Sequence, residues 1–188
     1  YQGSTNYFTY LKNGLLKTAA NELGTISNEF NFANRLTSVS YGGSGSPSTT
    51  VSYSYFPAGQ VSNVISIAGT NTYSLDSVDR VSSLSASLAS FAPLVFNHSY
   101  NTNNGLLSSI TCTNNGLSVS YNYTVRDRVS GITWRDTSNN VLASFSYLYN
   151  NAYMVTNVTV AGYKSQVSAF QYDDLDRLIS ETSVSSVT

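Results

Sequence analysis

Apolar and polar residues alternate with a period of two in several short segments of the chain. The clearest are Val51–Tyr55, Val119–Tyr123 and Phe145–Tyr149, in which Val, Phe and Tyr are separated mostly by Ser or Asn. This alternation is typical of strands with one apolar and one polar face, and Tyr and Val pack well on a pleated sheet. Leu15–Leu23 has the best helical stripe, but it lies at the strand position of a sequence repeat. The pattern therefore predicts an all-β chain.

The repeat consists of an aromatic residue, a turn and then Arg-Leu or Arg-Val, and it recurs at intervals of 20 to 26 residues. Its best copy, Tyr172–Leu178, reads YDDLDRL; six more copies precede it, and an eighth begins at Tyr10. A fixed period of this size predicts units that pack mainly against their neighbours. The motif positions are occupied by Phe30, Asn34, Arg35, Tyr55, Gly59, Asp76, Asp79, Arg80, Tyr100, Tyr123, Asp127, Arg128, Tyr149, Tyr172, Asp173, Asp176 and Arg177.

This motif, Tyr-x-Tyr-Asp-x-x-(Gly/Asn/Asp)-Arg-Leu, resembles the YD repeat of RHS and teneurin-type proteins from about Tyr10 to Leu178. The resemblance implies strand–turn–strand units that follow one another in a spiral sheet. It also implies a structural role, because bacterial RHS proteins enclose a toxin in such a shell and teneurins use one in cell-surface adhesion. We expect an all-β YD-repeat solenoid or spiral sheet of seven or eight repeats, filling residues 1–188 as one array. Since neither end carries a capping repeat, we expect the array to continue into further repeats or another copy.

Charged residues number only 19 of 188, yet four of the six Arg occupy the same motif position. One interpretation is a binding stripe of Asp and Arg. We favour a structural one, in which Asp and Asn shape each turn by bonding their own backbone. Arg, with five donors in a planar fork, would bond turn carbonyls or a neighbouring carboxylate.

Ser, Thr and Asn account for 72 of the 188 residues. Such a polar, weakly charged composition favours an extracellular or cell-surface protein, and we predict a secreted location. Three Asn-x-Ser/Thr sequons, at Asn97, Asn122 and Asn157, are candidate glycosylation sites. The net charge is −1 and the basic residues form no patch, so no nucleic-acid partner is expected. No apolar run approaches the roughly 18 residues of a membrane helix.

The sequence offers little for catalysis. His98 is the only histidine and Cys112 the only cysteine, so a Cys/His metal site cannot form within one chain. No nucleophile-elbow sequence accompanies His98. The densest acidic cluster, Asp173, Asp174 and Asp176, lacks the spacing of calcium β-rolls, and we interpret it as an acidic turn. We predict a non-enzymatic protein without metal or cofactor.

Two features fall outside the repeat. Trp134 has no counterpart in the other copies and is the best single candidate for a ligand contact, although packing is the favoured explanation. The Gly/Ser-rich segment 42–48 predicts a flexible loop.

These observations favour a structural segment of an extracellular shell, fibre or surface scaffold that docks head-to-tail with further repeats or copies of itself. Two alternatives remain open. The first is a segment of a toxin-enclosing RHS cocoon, whose partner is an enclosed polypeptide. The second is a carbohydrate-binding adhesin, whose partner is a surface glycan contacted by Trp134.

Overall fold

The structure of the chain is a computed structural model that describes residues 5–43, 45–88, 90–162 and 164–187. These residues form strands and turns, and they contain no helix. None of them therefore forms a helix able to cross a membrane. The chain divides into two compact units, Tyr1–Leu94 and Val95–Thr188. The predicted all-β fold is confirmed.

The strands follow one another as antiparallel hairpins within each unit. The first eight are β1 (Tyr7–Tyr10), β2 (Leu16–Asn21), β3 (Gly24–Phe30), β4 (Leu36–Gly43), β5 (Ser46–Tyr55), β6 (Val61–Ser66), β7 (Gly69–Leu75) and β8 (Val81–Leu88). The next eight are β9 (Leu94–Tyr100), β10 (Leu107–Cys112), β11 (Ser118–Tyr123), β12 (Val129–Arg135), β13 (Val141–Tyr149), β14 (Val155–Gly162), β15 (Lys164–Tyr172) and β16 (Leu178–Val187). They make the eight strand–turn–strand pairs that the repeat predicts.

The repeat motif forms the turn that joins each odd-numbered strand to the even-numbered strand after it. Because all strands in a unit are antiparallel, these motif turns lie side by side at one end of the strands, and the remaining turns lie at the other end. We call these two rows of strand ends the edges of the sheet. Leu15–Leu23 contains β2, so its prediction as a strand is confirmed.

The two faces of the sheet differ in polarity, because side chains alternate along each strand. In the second unit, one row of paired residues runs through Ile110, Val119 and Trp134. The adjacent row on the other face is formed by Ser109, Ser120, Thr133 and Ser144. The first unit repeats this arrangement, with Thr9, Thr18, Ser27, Ser40 and Thr50 paired across five strands.

The hydrophobic core is thin. Among the described residues only Cys112 and Val119, each 4% exposed, are buried hydrophobic side chains, and no large side chain is fully buried. Within each unit, strands contact the strands adjacent to them in chain order rather than a second layer. The apolar face is therefore stabilised by neighbouring side chains in its own layer and is left half-exposed.

A β-bulge accompanies each motif turn. In seven of the eight hairpins the register shifts at the motif aromatic residue, for example between Asn122 and Tyr123, and in the eighth it shifts at Leu75, which stands at the same position. Tyr123 pairs with Val129 while Asn122 pairs with Gly131, which leaves Ser130 as the extra residue. The hairpin of β9 and β10 has the same bulge, because Tyr100 pairs with Leu107 while Ser99 pairs with Ser109, which leaves Ser108 as the extra residue. Such bulges bend the strand and increase its local twist.

The structure differs from the expected flexible loop at 42–48. Gly42 and Gly43 end β4, while Ser46, Pro47 and Ser48 begin β5, and Gly43 pairs with Ser46. Ser44 lies outside the described residues. The segment extends a hairpin, because its backbone groups are paired between strands and the Ser48 hydroxyl donates to the Tyr41 carbonyl at 3.2 Å.

Candidate functional site

The edge of motif turns carries most of the charged residues and is the first candidate site. Each regular turn has five residues, which we number positions 1 to 5 after the motif aromatic residue. In the turn Thr124–Arg128, the position 1 amide donates to the position 5 carbonyl at 2.8 Å, and the position 4 amide donates to the position 1 carbonyl at 3.0 Å. Position 4 has positive φ, as in Asp127 at 60° and Asn34 at 59°. Asn and Asp tolerate this conformation better than most residues.

The side chain at position 1 fixes the turn. Asp76 Oδ1 accepts hydrogen bonds from the amides of Val78 and Arg80, both at 3.0 Å. Asn31, Asp173 and Thr124 accept the equivalent pair of bonds. This geometry explains why the motif tolerates Asn or Thr in place of Asp: a single acceptor oxygen suffices.

Two motif Arg form ion pairs with the Asp at position 1 of their own turn. Arg80 donates from Nε to Asp76 Oδ2 at 2.8 Å, and its Nη2 lies 2.7 Å from the same oxygen. Arg177 and Asp173 repeat the pair at 2.7 and 2.6 Å. Hydrogen bonds from the Arg80 backbone and side chain hold the pKa of Asp76 below its ordinary value. The bonds from Arg177 lower the pKa of Asp173 in the same way.

These carboxylates predict acid sensitivity. Because their folded pKa lies below the unfolded value of about 4, the stability they provide is complete above about pH 4 and is lost as the pH falls through the folded pKa. Replacing both Asp76 and Asp173 with Asn keeps the acceptor oxygen but removes the titration, so thermal unfolding measured below about pH 4 should depend less on pH. Asp174→Asn is the control, since the Asp174 carboxylate accepts no hydrogen bond from the described residues. An unchanged slope in the double variant would contradict the assignment.

Where position 1 lacks Asp, the Arg reaches forward to the next repeat. The Arg35 guanidinium lies over the Tyr55 ring at 4.9 Å, and its Nη1 donates to the Phe56 carbonyl at 3.5 Å. Arg128 lies over the rings of Tyr149 and Tyr153 at 5.5 and 4.2 Å. These Arg therefore connect successive repeats.

The Arg128 side chain also donates from Nη1 to the Tyr153 carbonyl at 2.6 Å. Arg128→Ala should lower the free energy of unfolding by about 1–3 kcal/mol, because it removes a charge-assisted bond and two ring contacts. Arg128→Lys keeps the charge but loses the planar fork, and it should recover only part of the loss in chemical denaturation. A melting temperature unchanged by the Ala substitution would show that these contacts add no stability.

The motif Tyr provides a second connection between repeats. The Tyr149 hydroxyl donates to the Val129 carbonyl at 2.7 Å, and Tyr123 donates to the Leu107 carbonyl at 2.8 Å. In each case the acceptor is the first residue of the even-numbered strand in the preceding repeat. Tyr55 and Tyr172 make the same bond, to the carbonyls of Leu36 and Val155. Burial raises the pKa of the Tyr123 hydroxyl.

The apolar face of the second unit holds a groove of about 260 Å³ beside Trp134. Trp134 is 45% exposed at its border, opposite Val119. The lining includes Phe96, Leu117 and Tyr121, with Asn115 and Ser118 as its polar members. The groove can therefore accept an apolar side chain, but it offers few hydrogen bonds to a sugar.

The other candidate residues lie apart from one another. His98 is in β9, opposite Ile110, and its Nδ1 is buried without a hydrogen-bond partner. The sequons Asn97, Asn122 and Asn157 lie in strands rather than loops. The described residues contain no cluster of three His, Cys, Asp or Glu side chains suited to a metal ion. Glycosylation remains a prediction.

One turn of the motif type was missed by the sequence analysis. Residues 136–140 join β12 to β13 on the edge opposite the motif turns. Asp136 Oδ1 accepts from the amides of Ser138 and Asn140, and Asn139 takes the positive φ of 65°. Asn140 donates from Nδ2 to Asp136 Oδ2, as Arg does in the motif, and this bond lowers the pKa of Asp136. The Asp-x-x-Asn-Asn spacing was the available signal.

Comparison with solved structures places this fold among known ones. The chain is similar to a chain in the crystal structure of TcdB2-TccC3-Cdc42, with a TM-score of 0.79 and 16% identity over 94% of this chain. It is also similar to TcdB2-TccC3 without its hypervariable C-terminal region, with a TM-score of 0.78 and 16% identity over 94%. The chain spans about a tenth of the length of each. No family model and no curated protein sequence matches it. At this identity the similarity establishes the fold, and it supports the RHS-like fold that the motif implies.

Proposed function

We propose that this chain is a non-enzymatic wall segment of a protein shell that encloses a polypeptide, as the resemblance to RHS repeats implies. The observation that carries the proposal is the fold shared with TcdB2-TccC3 over 94% of the chain, which spans only 10% of that longer chain. A chain whose fold matches about a tenth of a longer chain suits a structural segment.

The half-exposed apolar face supports this role. Each unit is a single-layer sheet, and side chains of its apolar face such as Ile26, Tyr41 and Trp134 are accessible. Within each unit, this face offers a surface to which apolar segments of the enclosed polypeptide (the client) can bind. The opposite face, rich in Ser and Thr, suits contact with water. Contiguous exposed apolar surface is uncommon in monomeric soluble proteins and marks interaction sites.

The two faces allow a direct test. A photo-activatable phenylalanine analogue is placed at Phe145 on the apolar face or at neighbouring Ser144 on the polar face, and the chain is irradiated with a reduced, unfolded polypeptide. We expect cross-links from position 145 and few from position 144. Equal yields from the two positions, or none from either, would count against a client-facing apolar surface.

Electron microscopy tests the fibre, which the sequence favours together with an extracellular shell or scaffold. Regular fibres with a 20.3 kDa repeating unit would favour a self-assembling scaffold in place of a shell segment. Discrete particles at all concentrations would support the shell segment.

We also propose a secreted location, for which the weakly charged composition rich in Ser, Thr and Asn is the support.

A further inference from the structure

The turn Thr124–Arg128 lacks a carboxylate that equivalent turns possess. In the turns of Asp76 and Asp173, the carboxylate at position 1 occupies the Nε and Nη2 edge of the Arg at position 5. Thr124 stands at this position and supplies only its hydroxyl, which accepts from the amides of Arg126 and Arg128. In two turns, therefore, this edge of the guanidinium binds a carboxylate, and in the turn of Arg128, as in that of Arg35 with Asn31 at position 1, the carboxylate is missing.

The Arg128 guanidinium is nevertheless held in place. Its Nη1 donates to the Tyr153 carbonyl at 2.6 Å and its Cζ lies 4.2 Å from the Tyr153 ring centre. Among the described residues its Nε and Nη2 atoms have no hydrogen-bond partner. The Nε and Nη2 edge of Arg128, which binds Asp in the other turns, is therefore held in a fixed orientation and can donate hydrogen bonds to a ligand.

A second guanidinium lies at the same ring. Arg126 is positioned 4.9 Å from the Tyr153 ring centre, and its Nη1 donates to the Tyr153 hydroxyl. Tyr153 occupies turn position 4 with a φ of 70°, where other repeats have Gly, Asn or Asp. A bulky residue in this conformation is uncommon and costs energy. This conformation places the Tyr153 ring centre within 4.9 Å of both guanidinium carbons.

The surrounding charge is unbalanced. Neither Arg126 nor Arg128 forms an ion pair with the described residues. Asp127 lies between them in sequence and its Oδ1 accepts from Asn104 Nδ2 at 2.9 Å, so one negative charge stands beside two positive ones. The next turn contributes Asn150 and Asn151, which are neutral. The two Arg and these Asn line a groove of about 180 Å³, together with Thr124, Val125, Tyr149 and Tyr153.

We propose that Arg126 and Arg128 form a binding site for a carboxylate group, with the Nε and Nη2 edge of Arg128 as its main contact. Arginine binds carboxylates through two parallel hydrogen bonds, and such charge-assisted bonds are stronger than neutral ones. The carboxylate comes either from a small organic acid or from an acidic side chain of a polypeptide. The site lies on the turn edge and does not depend on the proposed shell role.

The experiment titrates acetate into the 188-residue protein at low ionic strength while the Arg Nε–H signals are followed by NMR. We expect a saturable shift of the Arg128 signal that weakens as salt is added. Thr124→Asp supplies the missing carboxylate within the turn, and it should weaken acetate binding by at least about tenfold because the internal group competes for the same edge. Far-ultraviolet circular dichroism checks that the fold is kept.

Thr137→Asp is the matched control, since it adds the same charge to an exposed turn at the opposite sheet edge and should leave binding almost unchanged. A glutamate-containing peptide, compared with its glutamine counterpart, distinguishes the two sources: tighter binding than acetate identifies a polypeptide carboxylate, and equal binding a small acid. A shift that does not saturate, equal weakening in both Asp variants, or equal binding of chloride and acetate would each overturn the proposal.

Discussion

Gly69→Ala is expected to lower the free energy of unfolding by about 3 kcal/mol, measured by chemical denaturation. Gly69 begins β7 and pairs with Leu88 of β8. An added Cβ would lie 2.0 Å from the Ser87 carbonyl oxygen and 3.0 Å from the Leu88 Cα. Both are backbone atoms of a paired strand, so they cannot move aside as a flexible side chain would. The φ of +149° adds strain for any residue with a side chain.

Gly42→Ala is the matched control in the same unit. Gly42 also lies in a strand, but an added Cβ would meet no atom within 4 Å. Its free energy of unfolding should change by no more than about 0.5 kcal/mol. Equal destabilisation by the two substitutions would mean that loss of glycine itself, rather than close approach of β8, determines the effect.

The strands could be predicted because their alternation is strong. Val51–Tyr55, Val119–Tyr123 and Phe145–Tyr149 lie within β5, β11 and β13. The sequence also contains three Asn-Gly dipeptides, which are typical of tight turns, and their glycines, Gly14, Gly105 and Gly116, all have positive φ. Local pattern and turn chemistry determine these features, so one sequence is enough to find them.

The bulges and the contacts of Arg could not be predicted in the same way. The extra residue Ser130 could not be recognised from the alternation of apolar and polar residues. The motif turn interrupts that alternation shortly before Ser130, so the sequence does not show the change of register. The contacts of the motif Arg also differ between copies: Arg177 forms an ion pair with Asp173 of its own turn, while Arg128 bonds the Tyr153 carbonyl of the next repeat. Such choices depend on which repeats lie side by side in space.

The candidate sites, too, could be predicted from the sequence only in part. Trp134 was identified from the sequence as an unusual residue, and the structure gives it a partly exposed position beside an apolar groove. The Arg126 and Arg128 groove was not identified, because its third member, Tyr153, replaces an Asp or Gly and weakens the repeat motif at that copy. The position that departs from the repeat motif, Tyr153, therefore indicates the location of this groove better than the motif residues do.

Tyr149→Ala is expected to lower the free energy of unfolding by about 3 kcal/mol. The ring lies at the bulge that ends β13 and beneath the Arg128 guanidinium, while its hydroxyl bonds the Val129 carbonyl of the preceding repeat. The substitution removes both contacts and leaves a partly buried carbonyl without its partner. Since each repeat is stabilised mainly by its neighbours, the loss should reduce the cooperativity of the denaturation curve as well as its midpoint.

Two Phe variants separate the ring from the hydroxyl. Tyr149→Phe keeps the ring and removes only the bond to Val129, so it should cost about 1 kcal/mol. Tyr147→Phe is its control on the same strand, because the Tyr147 hydroxyl makes no hydrogen bond with the described residues, and it should be close to neutral. If the two Phe variants were equally stable, the hydroxyl bond would add nothing, and the connection between repeats would rest on ring packing and the Arg128 contact alone.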